Sequence, residues 1–252
     1  MGWRGGHGIT AIVLAMAISG CSARINPAQS AAHVTAETLA AELEEAYRMS
    51  SPERLAAFLR KWHDSLPPKD VKEIKDPMER ELYSIFQSLF RPFDLNTVAG
   101  GEGYADVSEM YRRVTYIIVQ NSVRLQVEDS PEQIVTDFRP AFDLDEVDRL
   151  YLTPTYRQAL VAFLEADDTL GAIDVDKSIR RIRFLEPFVR VMPGHWSGWD
   201  IESPPTVDSV ALNGAATKAT VFFSIHSAHG CAAMERTPDR WHVSDTGIYA
   251  IE

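Results

Sequence analysis

Several things are scarce or missing in this 252-residue chain, and each absence narrows what it does. No apolar run reaches the roughly 20 residues that a bilayer-crossing helix needs. The most apolar stretch, Ile9–Ile18, is too short, and nothing later comes closer, which excludes a helical membrane span. Basic residues are outnumbered: 25 Lys and Arg face 36 Asp and Glu, for a formal net charge of −11. So acidic a chain is poorly suited to nucleic acid or anionic headgroups, both of which reward basic patches. Cysteine occurs only twice. Stability must therefore come from a hydrophobic core and not from a disulfide framework. Catalytic signatures are missing too: no Gly-x-Ser-x-Gly, no Ser-x-x-Lys in a catalytic context and no His-Glu-x-x-His. Gly100-Gly101-Glu102-Gly103 lacks the Lys-Ser/Thr of a phosphate loop and reads as a mobile loop. There is no internal repeat, heptad run or low-complexity tract.

What is present starts with the first 21 residues. Arg4 and the α-amine give a positive start, Ile9–Ile18 an apolar core, and Ser19-Gly20 the small residues a peptidase accepts before Cys21. Apolar, small, small, Cys resembles the lipobox of bacterial lipoproteins, with Ile18 where Leu is commoner. The resemblance implies removal of residues 1–20 and acylation of Cys21 as the mature N-terminus, with the membrane as partner through that lipid. Two or more acyl chains anchor stably where one does not. Ser22, where Asp would signal otherwise, favours the outer membrane of a Gram-negative host. Loss of Arg4 takes the net charge from −11 to −12, and commitment of Cys21 to lipid leaves Cys231 without an intramolecular partner.

Ser22–Val34 is small and polar, interrupted by Pro27, and makes residues 21–34 a lipidated tether spanning about 20 Å. From Thr35 the pattern becomes helical. Thr35 caps a stripe of Leu39, Leu43 and Tyr47, and Ser51-Pro52 opens one of Leu55, Phe58, Leu59 and Trp62. Asp76-Pro77 opens a third, with Leu82, Ile85, Phe86, Leu89 and Phe90. Residues 91–107 read as irregular. The β-branched runs Val114–Gln120 and Val123–Val127, split by Asn121-Ser122, predict a β-hairpin, and Arg149–Leu152 a short strand. Thr153-Pro154 caps a helix bearing Leu160, Phe163 and Leu164, and a fifth starts near Asp176.

After Val191 strands take over: Trp199–Ile201, Val207–Leu212, Thr220–His226, Cys231–Glu235 and Trp241–Ile251, with Asn213-Gly214 and Pro238-Asp239 as turns. Short turns favour antiparallel pairing. The fold class is α+β: a helical N-terminal part over residues 35–190 with an inserted hairpin near 114–127, and a C-terminal antiparallel sheet over 191–252, packed as one folded unit. The ending Trp241-His242-Val243-Ser244-Asp245 resembles the nuclear-transport-factor-2-like superfamily, which implies a cone-shaped fold. Phe138-Arg139-Pro140, Leu150–Pro154 and Gly194–Trp199, with the C-terminal strands, are similar to uncharacterised bacterial lipoproteins, which implies an envelope address and no known activity.

Two segments carry candidate chemistry. His226, His229 and Cys231 form the one tight cluster of imidazole and thiol, ligand types suited to zinc or copper. A turn at Gly230 could gather them, although the spacing matches no standard pair, and a hairpin tip with two exposed histidines accounts for the same residues. His195, Trp196 and Trp199, between Gly194 and Gly198, offer rings that stack on a flat ligand or anchor an interface; packing at the junction of helices and sheet is the competing account. The acidic runs 143–148 and 165–168 fit no calcium loop and read as solvated surface. The expectation is a membrane-anchored lipoprotein of the bacterial envelope that binds an envelope protein, a glycan or a small ligand without catalysis, cofactor or nucleic acid. A hydrolase or metal-dependent enzyme using His226, His229 and Cys231 is the alternative, and a structural component of an envelope assembly is another.

Overall fold

A strand without a polar face must be covered on both sides, and Tyr116-Ile117-Ile118-Val119 is such a strand. The computed structural model describes residues 34–142, 147–166, 175–194 and 198–252, and in it β1 (Tyr116–Gln120) is buried throughout. Ile117 and Val119 point into one hydrophobic core, Tyr116 and Ile118 into a second. Its neighbours β2 (Ser122–Val127) and β3 (Gln133–Thr136) lie in another sheet, and β1 pairs in parallel with β4 (Asp148–Leu152). Tyr151 of β4 faces the first core, Leu150 and Leu152 the second. The β1–β4 pair is thus a partition between two cores.

That partition corrects the expected hairpin over 114–127. β1 and β2 do not pair; the antiparallel partner of β2 is β3, Val123 opposite Val135. Asn121-Ser122 is no hairpin turn but the point where the chain leaves one sheet for the other. Gln120 holds the bend: its side-chain amide accepts from the Val207 N–H at 2.6 Å and donates to the Val207 carbonyl at 2.7 Å. A side-chain amide so placed replaces one rung of a strand ladder.

The helices are α1 (Ala36–Arg48), α2 (Pro52–Ser65), α3 (Pro77–Leu89), α4 (Leu95–Ala99), α5 (Ala105–Arg112), α6 (Pro154–Leu164) and α7 (Val175–Leu185). Thr35, Ser51, Asp76 and Thr153 cap as their sequence positions predict, each side-chain oxygen accepting a first-turn N–H. α4 and α5 fall where irregular chain was expected. Neither has a side-chain cap bond. Bonds from afar hold them instead: Ser108 Oγ accepts from the Leu95 N–H at 3.0 Å and Asn96 Oδ1 from the Tyr104 N–H at 2.8 Å. Gly100 ends α4 at φ +67°, where a Cβ would lie 2.2 Å from the Thr246 carbonyl oxygen.

The remaining strands are β5 (Met192–Pro193), β6 (Trp199–Asp200), β7 (Thr206–Leu212), β8 (Lys218–Ile225), β9 (Ala228–Arg236) and β10 (Trp241–Ile251). Six strands form one sheet in the order β10-β9-β8-β7-β2-β3. β7 to β10 pair antiparallel as the short turns require, whereas β2 joins β7 in parallel. α3 lays Leu82, Ile85, Phe86 and Leu89 into the first core with Val221, Phe223 and Trp241 of the sheet. Each such side chain contributes about 1.5–3 kcal/mol on burial. α1, α2 and α6 close the second core over β1 and β4. Thr35–Glu252 form one compact unit, so helices and sheet belong together. No described helix is long and apolar enough to cross a membrane. Cys21 and the whole signal lie outside the described residues.

Candidate functional site

The turn between β8 and β9 is two residues long, His226-Ser227, with Ile225 opposite Ala228. β9 therefore begins three residues earlier than the sequence indicates, and Gly230, expected to turn, lies within it. The reason is steric: a Cβ at residue 230 would sit 2.4 Å from the Phe223 ring, so glycine here makes room for an aromatic side chain and bends nothing. The turn is made by His226 at φ +54°, a backbone state hairpins ordinarily give to Gly or Asn and one that is unfavourable for a histidine.

This placement separates the three residues grouped from sequence. His226 has its Nδ1 3.3 Å from Asp200 Oδ2 and its ring 6.3 Å from that of Tyr111. His229 and Cys231 share the outer face of β9, but Cys231 lies opposite Phe222 and Gly247. Among the described residues, no group of three or more His, Cys, Asp or Glu is placed to hold a metal ion.

Asp200 immediately follows Trp199, so the two candidate segments meet, though not through the expected side chains. Trp199 is only 8% exposed, packs in the second core and donates its indole N–H to Glu165 at 3.0 Å. A buried indole with its N–H committed is not presented to a ligand. His195 and Trp196 lie outside the described residues. On either side of the undescribed residues, β5 pairs with β6, and Gly194 N–H donates to the Gly198 carbonyl at 2.9 Å.

Around the turn lies a polar centre that sequence reasoning missed. Tyr111 is buried beneath His226, and burial pushes its phenol well above the usual tyrosine value; Asp200 adds to the rise and Arg190 opposes it. On the other side, Ser224 Oγ is 2.8 Å from Asp208 Oδ2 and 3.3 Å from His229 Nδ1, and His229 Nε2 is 3.2 Å from Glu252 Oε1. Asp208 reaches Ser224 because the β7–β8 register slips between Val207 and Ser209, a bulge that re-aims the intervening side chain. Ser224 and His229 are cross-strand partners about a two-residue turn, a pairing the sequence would yield only once the turn was placed correctly.

The chemistry open to this centre follows from its protons. A carboxylate only accepts, so Ser224 donates its hydroxyl proton to Asp208. With that proton on Asp208, the Ser224 hydroxyl is not directed at His229 Nδ1, as activation of a serine nucleophile requires. His226 has an Asp partner on Nδ1, yet its Nε2 is shut from solvent and bonded to nothing among the described residues. No substrate atom reaches it in this conformation. Beside the turn, a 190 Å³ pocket is lined by Asp200, Glu202, Thr206, Ser224 and His226, and it shares Glu202 and Thr206 with the lining of a 490 Å³ pocket.

The class this fold defines is α+β, with one mixed six-stranded sheet. No family model matches the chain, and neither a curated protein nor a solved structure matches it.

Proposed function

We propose that this protein is a lipid-anchored lipoprotein of a bacterial envelope, held by acylated Cys21, whose body is a binding module without catalysis. The observation that carries the reading is the succession Arg4, Ile9–Ile18, Ser19-Gly20-Cys21, in which charge, apolar length and cleavage chemistry agree. The donation of the Ser224 hydroxyl to Asp208 and the enclosure of His226 Nε2 favour binding over turnover. By the likeness to lipoproteins, Ser22 directs the anchor to the outer membrane of a Gram-negative cell. Mass spectrometry of the N-terminal peptide from membrane-extracted protein tests the anchor. The expected peptide starts at Cys21 and carries the mass of acyl chains; a chain beginning elsewhere, or an unmodified Cys21, rules the reading out.

A second reading, a hydrolase, has one observation in its favour: Ser224, His229 and Glu252 stand in succession, Oγ 3.3 Å from Nδ1 and Nε2 3.2 Å from Oε1. It requires Ser224 to release its proton to His229 instead of Asp208.

A further inference from the structure

Away from the β8–β9 turn, a 560 Å³ groove lies between α3 and the start of β10, within the ~300–1,000 Å³ range of small-molecule sites. At its base Glu81 accepts twice, from Arg236 Nη1 at 2.6 Å and from the Trp241 indole N–H at 2.8 Å. Both carboxylate oxygens are thereby occupied and the Glu81 charge is balanced within the protein. Trp241 is buried and Glu81 nearly so, and this base ties α3 to the sheet, making the groove a fixed shape.

The groups lining the groove differ in kind. Along α3, the Ser84 and Ser88 hydroxyls donate back to the carbonyls of Arg80 and Ser84, and Gln87 Nε2 donates to the Ala141 carbonyl. With their protons so committed, Ser84 Oγ, Ser88 Oγ and Gln87 Oε1 are left as acceptors. Arg91, two residues beyond α3, and Arg240, just before β10, also line the groove, and their guanidiniums make no hydrogen bond or ion pair among the described residues. Against these two free cations the groove holds one further acid, Asp239. In a chain of net charge −11, this groove thus has more unpaired basic than acidic side chains in its lining.

We infer that this groove binds an anionic sugar. Acceptors along α3 take the hydroxyl protons of a polyol, and the guanidiniums take the anion, for which their planar fork is suited. A neutral sugar lacks the group the arginines need, and a bare anion lacks the hydroxyls the α3 wall needs. Carboxylate and phosphate esters both satisfy the arginines, so the shared chemistry is a sugar with one such group. The inference specifies a ligand for the binding reading and does not depend on the lipid.

Isothermal titration of the full-length protein in detergent, with four probes, tests it. Glucuronic acid or glucose 6-phosphate is expected to bind at least about tenfold more tightly than glucose and than inorganic phosphate, the margin of one charge-assisted contact. Which of the two binds separates a carboxylate source from a phosphate one. Arg91→Ala and Arg240→Ala, at exposed positions outside the Glu81 base, are each expected to weaken that binding by about tenfold with an unchanged circular dichroism spectrum. Absence of binding by both charged sugars overturns the inference. So does equal binding of glucose or of phosphate, or an affinity indifferent to both arginines. Cys21→Ala is expected to leave sugar binding intact, so failure here and failure of the anchor are distinguishable.

Discussion

His229 bridges a hydroxyl and a carboxylate, with Nδ1 3.3 Å from Ser224 Oγ and Nε2 3.2 Å from Glu252 Oε1. The bridge ties β8, β9 and the residue following β10 together on the outer face of the sheet. It looks like a catalytic succession until the proton on Ser224 is followed to Asp208, 2.8 Å away. A fluorophosphonate probe decides between the two accounts. Equal, background labelling of the wild type and of Ser224→Ala is expected; strong labelling lost only in the variant would establish Ser224 as a nucleophile and the hydrolase reading with it.

The left-handed backbone at His226 makes a prediction about two substitutions at one position. His226→Gly and His226→Ala both lose the contact with Asp200, but only glycine relaxes φ +54°. The glycine variant should be the more stable by about 1 kcal/mol in chemical denaturation. An alanine variant equal to or better than it would show that the turn is not held as described.

Phe223 and Gly230 share a space that admits one side chain. Gly230→Ala places a methyl 2.4 Å from the ring and should destabilise by about 1–3 kcal/mol. Phe223→Leu, costly alone, should become less so in the Gly230→Ala background, a coupling read from a double-mutant cycle. Strict additivity would contradict the proposed contact.

Asp137 links acid sensitivity to structure. Burial alone would raise its carboxyl, but hydrogen bonds from Arg139 and Lys69 outweigh it and hold the group below its ordinary value. A folded value below the unfolded one, about 3.9, contributes stability that is complete above that pH and lost as pH falls through the folded value. Asp137→Asn removes this term while tolerating φ +53°. Wild type should exceed the variant by at most about 1 kcal/mol at neutral pH, since the side chain is half exposed, and the gap should close in acid. A gap unchanged at low pH would contradict the assignment.

What the sequence makes legible follows from how locally each feature is determined. Thr35, Ser51, Asp76 and Thr153 announce their helices because a cap bond spans only two or three residues. The alternation of Val221, Phe223 and Ile225 identifies β8 for the same reason. α4 and α5 escape notice because their support comes from Ser108 and Asn96, through bonds that no local pattern displays. β1 misleads differently: its apolar run declares burial on both faces, and reading it as a hairpin arm ignored that. The polar centre was half legible. His226 and His229 stand out by residue type, but Asp200, Tyr111, Ser224 and Asp208 join them only through the two-residue turn, the bulge and the packing of β6 and α5 beside them.

The central claim is the lipid on Cys21, and metabolic labelling tests it most directly. Cells expressing the full chain are fed an alkyne fatty acid, and the captured protein is compared with its Cys21→Ala variant. Label on the wild type that disappears in the variant, with the variant released or retained as an unprocessed precursor, is the result this account predicts. Label that persists in Cys21→Ala, or a wild type that never takes it up, contradicts the claim.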